Sequence, residues 1–77
     1  MVVIKKMYLI RNKKQNNYLE KIILFEKGKF THFTKDINKA YRIKYKKDLN
    51  KIVKRFNHFE KFEILKERKG VYYVIEN

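Results

Sequence analysis

The chain has 77 residues, with 21 Lys and Arg against 8 Asp and Glu, a formal charge of +13, and no cysteine or proline. That length allows one domain, and so short a chain buries only about 60% of the surface its unfolded form exposes, so the core must be compact. A disulfide framework and thiolate metal sites are excluded. With glycine only at positions 28 and 70, the composition is not that of a linker or a disordered tail.

Met7 to Asn12, with Val2 to Ile4 before it, is rich in β-formers and predicts a first strand. Val2, Val3 and Ile4 are followed by Lys5 and Lys6, which leaves no apolar signal core. No apolar run approaches the ~20 residues that a membrane span needs. A soluble, cytoplasmic protein with no membrane partner is the expectation. Asn12 to Asn17 is a polar turn, and Tyr18 to Phe25 a second strand. Ile22 to Phe25 is apolar without alternation, which predicts a strand covered on both sides or one lying in a dimer seam. Glu26-Lys27-Gly28-Lys29 reads as a tight reversal with positive φ at Gly28. Phe30 to Phe33 returns as a third strand.

Thr34 has the hydroxyl to cap a brief turn, with Ile37, Ala40 and Tyr41 on one side. An extended piece, Tyr41 to Ile43, leads into the one strong helix, about Lys46 to Phe56. Tyr45, Leu49, Ile52, Val53 and Phe56 recur at helical spacing and predict a buried stripe. That helix lacks a side-chain cap at Tyr45. Asp48 in its first turn and Arg55 in its last complement its dipole, and Asn57 is the expected stop.

From Glu60 to Glu67 the chain alternates, with Phe62 and Ile64 on one side and Lys61, Glu63 and Leu65 on the other. Arg68-Lys69-Gly70 turns it into a last strand, Val71 to Ile75. The predicted fold is α+β: a small single domain with an antiparallel sheet of about five strands and one amphipathic helix on one face, in the order β-β-β-α-β-β. One helix cannot cover five strands, so the sheet curls, or its free face makes a dimer or binds something.

The charge is the main functional signal, because a field of this size attracts polyanions. Seventeen of the basic residues are Lys and four are Arg. Specific phosphate clamps favour the Arg fork, so AT-rich coding explains the excess as well as a selected anionic partner does. The best candidate site is a basic patch on the helix and the segment before it: Arg42, Lys44, Lys46, Lys47, Lys51, Lys54 and Arg55. Lys47, Lys51, Lys54 and Arg55 stand three or four residues apart or adjacent, so they share a helix side. Such a patch suits tracking along phosphates. The plainer reading is a solvated helix face.

Catalysis has little to rest on. His32 and His58 lie far apart and neither sits in a metal-ligand spacing. The carboxylates mostly neighbour lysines, there is no serine, and the two isolated glycines make no phosphate loop. No cofactor or metal is expected. Lys69-Gly70-Val71-Tyr72-Tyr73-Val74-Ile75-Glu76 touches the RNA-recognition strand pattern at Lys69, Gly70, Tyr73 and Val74. Val71, Tyr72 and Glu76 depart from it, and an ordinary hairpin with one Tyr on each face explains it as well.

Phe33 to Ile43, with Thr34, Asp36, Ile37 and Ala40 at its centre, is followed by Lys46-Lys47-Asp48-Leu49 and Ile52. Together with the opening Tyr8-Leu9-Ile10-Arg11-Asn12, this resembles small accessory proteins of phages and prophages from low-GC Gram-positive bacteria. Tyr45 departs from the Ser or Thr cap more usual there. The resemblance brings no catalytic residues. It implies a non-enzymatic, stoichiometric binder in the cytoplasm of a bacterial host cell, in a group that includes anti-CRISPR and other anti-defence proteins. The implied partner is a host defence effector protein or nucleoprotein, and the implied state is a monomer or homodimer. The alternative is a basic accessory protein that binds DNA or RNA through phosphates without sequence preference.

Overall fold

The structure, a computed structural model, describes residues 7–75. Its one antiparallel sheet comprises β1 (Met7–Asn12), β2 (Asn17–Phe25), β3 (Gly28–Thr34), β4 (Phe62–Arg68) and β5 (Val71–Ile75). The spatial order is β3-β2-β1-β4-β5. One helix, α1 (Lys46–Lys54), covers part of one face. This is the α+β fold expected from the sequence. The expected strand at Val2 to Ile4, the lysines after it and Glu76 lie outside the described residues.

Leu9 and Ile10 are adjacent in β1, so the pleat sends them to opposite faces. Both have 0% of their surface exposed. Burying one such side chain is worth about 1.5–3 kcal/mol, and both faces of β1 need a cover to gain it. On the first face Ile10 meets Leu19, Ile43, Ile64 and, from the helix segment, Leu49, Ile52 and Phe56. On the second, Leu9 packs with Leu65 and Ala40, and Tyr18, Ile37 and Tyr72 surround them. Ile37 and Ala40 belong to a short 3₁₀ turn, Ile37–Lys39, and the residue that ends it. The sequence left the second face to a dimer or a ligand; over β1 and β4 the chain covers it with its own connection. Tyr41, expected on the same side as Ile37 and Ala40, stays outside that cluster and is exposed.

β1 and β2 pair only at Arg11↔Tyr18 and Asn12↔Asn17. Residues 41–43 then enter between them. The Tyr41 N–H donates to the Leu19 carbonyl at 2.7 Å, and Ile43 and Tyr8 exchange two bonds of 2.8 Å. Ala40 packs on the second face and Ile43 on the first. The chain therefore crosses from one face to the other through this slot. The extended piece expected at Tyr41 to Ile43 is a single bridge at Ile43, since a segment crossing a sheet leaves its plane before a ladder grows.

Local chemistry sets the turns. Asn12 Oδ1 accepts from the N–H groups of Lys14 and Gln15 at 3.1 and 3.0 Å. Asn16 takes a φ of 54°, which asparagine tolerates. Thr34 Oγ1 accepts from the Asp36 N–H at 3.1 Å, and Asp36 caps the 3₁₀ turn through the Asn38 N–H at 2.9 Å. Lys69 and Gly70, at φ 52° and 77°, join β4 to β5 beyond the pair Arg68↔Val71. Two positive φ values match the twist of a two-residue hairpin.

Four expectations need correction. The turn chemistry predicts positive φ at Gly28, but among the described glycines only Gly70 has it. Gly28 instead opens β3 opposite Phe25, and Arg55 holds this hairpin end. Helical spacing puts Tyr45 in the buried stripe. It is 59% exposed, because it precedes α1 with extended backbone and helical spacing does not reach it. The helix ends at Lys54 with Arg55 as its cap, and the left-handed residue is His58 rather than Asn57. Finally, of the two expectations for the run Ile22 to Phe25, cover on both sides or a dimer seam, the chain itself does not supply the first. Ile22 packs against the helix-side core, whereas Ile23 and Phe25 are 54% and 56% exposed. The outer half of β2 has only β3 beside it.

At the end of α1, Phe56 lies 4.9 Å from Phe62 and 5.9 Å from Phe59, and Phe62 lies 5.8 Å from Phe33, between ring centroids. Phe62 is the hub of these rings, and Phe56 joins the helix segment to it. Phe56→Ala should therefore cost about 3–5 kcal/mol, and Ile52→Ala about 2–5. Thermal or urea unfolding checks both, and two unchanged curves would show that α1 does not pack through this stripe.

Candidate functional site

α1 starts without a side-chain cap. The Tyr45 carbonyl accepts from the N–H groups of Asp48 and Leu49, both at 3.1 Å. Asp48 in the first turn and Lys51 and Lys54 in the last complement the helix dipole. Leu49 and Ile52 are buried. At about 100° per residue, Lys47, Lys51 and Lys54 fall on the opposite side. They cover about 10 Å of helix length.

Lys44, Lys46, Lys47, Lys51 and Lys54 are all exposed. Among the described residues none of the five forms an ion pair or a side-chain hydrogen bond. Lys44 Nζ stands 5.4 Å from the centroid of the Tyr45 ring. Asp48 is the one acidic residue in α1. The five ammonium groups thus remain available to an anion.

The two arginines assigned to this patch are placed elsewhere. Arg42 lies on the second face and spends its donors inside the protein. Nη1 donates to the carbonyls of Ile37 (2.6 Å) and Ala40 (2.9 Å), Nε to Glu67 (3.2 Å) and Nη2 to the Tyr72 hydroxyl (3.0 Å). Arg55 reaches the hairpin between β2 and β3, where Nη2 donates to the carbonyls of Phe25 and of Gly28, the latter at 2.7 Å. Sequence proximity placed both in one patch, but a guanidinium reaches backbone carbonyls on its long stem, and proximity does not show where they are. Lys47, Lys51 and Lys54 share the outer side of α1, Lys44 and Lys46 are exposed at its start, and the two arginines donate to other partners.

His32 and His58 are both exposed. His58 Nδ1 stands 3.4 Å from Glu60 in a pair open to solvent. Among the described residues no group of three or more His, Asp or Glu is placed to hold a metal. A depression of about 410 Å³ lies over the first turn, lined by Asn12, Lys13, Lys14, Gln15 and Lys61. Its lining is three lysine ammonium groups and the amides of Asn12 and Gln15. The strand that touches the RNA-recognition pattern divides its tyrosines: Tyr72 joins the Arg42 network, and Tyr73 is exposed on the other face.

The sequence marked the run that holds Ile23 and Phe25 but did not group them with Phe30, and each of the three is more than half exposed. The signal for the group was the unalternating run Ile22 to Phe25, facing Phe30 across a two-residue turn. No family model, curated protein or solved structure matches this chain. Among the described residues no helix is long and apolar enough to cross a membrane.

The Arg42 network has a pH signature. The hydrogen bond from Arg42 holds Glu67 below its ordinary 4.5, against the opposing effect of burial, and the Tyr72 hydroxyl adds a second bond at 2.9 Å. A carboxylate with a lowered folded pKa stabilises above its unfolded value, and the gain is lost as pH falls through the folded value. Glu67→Gln should cost about 1 kcal/mol at pH 7, allowing for partial solvent screening. In melts repeated well below pH 4.5 the difference from wild type should shrink toward zero. A cost that stays constant with pH would mean that the charge of Glu67 is not what stabilises.

Proposed function

We propose that this chain is a non-enzymatic, phage-type accessory protein that binds a host effector nucleoprotein stoichiometrically and blocks a nucleic-acid-directed defence, in the anti-CRISPR manner. The observation that supports it best is the set of exposed lysines on α1 and its approach, which have no ion-pair partner among the described residues. They meet phosphates, or an acidic surface that normally receives phosphates, on the effector. The phage-type part rests on the sequence resemblance at Phe33 to Ile43 and Lys46 to Ile52. A second reading is sequence-neutral binding of DNA or RNA. It is favoured by the chemistry of the patch: lysines act as point charges, and phosphate contacts carry no base information.

Salt dependence tests the patch. If the five lysines contact phosphates, affinity for duplex DNA or RNA should fall with a log–log salt slope of about −4 to −5. Lys47→Ala, Lys51→Ala and Lys54→Ala together should reduce that slope by about three units on every sequence alike. The matching triple change at Lys13, Lys14 and Lys21 removes the same charge from the first hairpin. Equal losses from the two triple variants would mean that net charge alone binds. Against an acidic protein surface, the helix variant should slow association with a shallower salt dependence. A protein partner that survives nuclease treatment of a pull-down supports inhibition of an effector, and nucleic acid alone supports the second reading.

His32→Ala combined with His58→Ala should leave binding and inhibition unchanged, since neither has a partner at acid/base or metal spacing. Loss of inhibition with an unchanged melting curve would restore a catalytic reading.

A further inference from the structure

Ile23 of β2 stands directly opposite Phe30 of β3, and Phe25 stands opposite Gly28. Strand alternation puts Ile23, Phe25 and Phe30 on one face, while Ile22, next to Ile23, turns to the other and packs against the core under α1. Their exposures are 54%, 56% and 54%. A Cβ added at Gly28 would meet nothing within 4 Å, so the space beside Phe25 is open. A groove of about 350 Å³ adjoins this face, lined by Glu20, Lys21, Ile22, Ile23, Phe30 and Tyr41. The cover formed by Ile37 and Ala40 lies over Leu9 and Leu65, and this end of the hairpin is left bare.

The charge around the patch decides what fits it. Residues 20–34 hold Glu20 and Glu26 against Lys21, Lys27 and Lys29, so the hairpin has a net charge of only +1 out of the chain's +13. Each end of the apolar run pairs the two signs, Glu20 with Lys21 and Glu26 with Lys27. A polyanion gains little here, and an anionic membrane or an acidic protein has no excess of positive charge to meet. A face with an apolar centre and a balanced rim is complementary to itself, as an isologous contact requires. The hairpin is also held in place before any contact. Arg55 ties its end to the end of α1, and Lys29 Nζ sits 5.1 Å from the Phe56 ring centroid.

We propose that this face of the β2–β3 hairpin is a homodimer interface, in which Ile23, Phe25 and Phe30 of one copy pack on the same residues of a second. The dimer presents two lysine-bearing helices in one particle. The proposal stands apart from the polyanion reading, since the lysine variants can fail their test while this one holds.

Sedimentation equilibrium of the full chain from about 1 to about 500 µM tests it by mass action. The weight-average mass should rise toward twice that of the monomer. The rise should be stronger at about 0.5 M salt than at about 0.15 M, because screening removes the repulsion between two +13 chains. Ile23→Thr with Phe30→Thr keeps β-forming residues at exposed positions. It should raise the dimer dissociation constant at least tenfold with the melting curve of the monomer preserved. Phe25→Thr alone should act in the same direction. In the wild type, concentration-dependent amide shifts should lie within residues 20–32. A chain that stays monomeric throughout, a dimer indifferent to the three substitutions, or shifts centred on β5 would overturn the proposal. So would a monomeric chain that binds phosphatidylglycerol vesicles through Ile23 and Phe30.

Discussion

The crossing of the chain between β1 and β2 is the constraint from which the rest follows. Leu9 and Ile10 are both buried, so β1 needs an apolar layer on each side. One connection of ten or so residues supplies parts of both, with Ile37 and Ala40 on one side and Ile43, leading into α1, on the other. The passage is stable because it satisfies the backbone it displaces. Leu19 and Tyr8 would have paired with each other's strands; they pair with Tyr41 and Ile43 instead. Leaving such buried groups unpaired costs about 1–3 kcal/mol each.

Arg42 secures this passage. Its guanidinium donates to two carbonyls of the crossing segment and, from the same planar group, to Glu67 on β4 and Tyr72 on β5. The second cover is thereby fastened to the far side of the sheet. Arg11 pairs with Glu63 across β1 and β4, with Nε 2.5 Å from Oε1, and Arg55 holds the hairpin end. Three of the four arginines are thus engaged within the fold, where several donors in fixed geometry are useful. The lysines, which are strongly hydrated point charges on flexible stems, occupy the outer side of α1. A lysine face of this kind suits a backbone or a diffuse acidic surface better than a specific base or a single phosphate.

The same arrangement separates two surfaces of different chemistry. The outer side of α1 is positive. The exposed side of the β2–β3 hairpin lies on the opposite face of the sheet, apolar and nearly neutral. Arg55 links them, since it caps the helix and donates to the hairpin carbonyls. A partner on one surface is therefore held in fixed orientation to whatever occupies the other.

What the sequence determined by itself is what neighbouring residues decide. The stripe Leu49, Ile52, Val53 and Phe56, the alternation at Phe62 to Leu65, the turn at Lys69-Gly70 and the lysines opposite the stripe all follow from periods of 3.6 and 2 and from turn chemistry. Those signals led to the α+β fold and to the lysines exposed on and just before α1. What only the tertiary structure decided depends on groups far along the chain. Arg42 is removed from the patch by Glu67 and Tyr72, which lie 25 and 30 residues away, and Arg55 by carbonyls 27 and 30 residues away. The second cover and the bare hairpin face have the same origin. Periodicity shows which side of an element is apolar, but which apolar sides meet depends on where the chain crosses the sheet, and that is set by long-range packing.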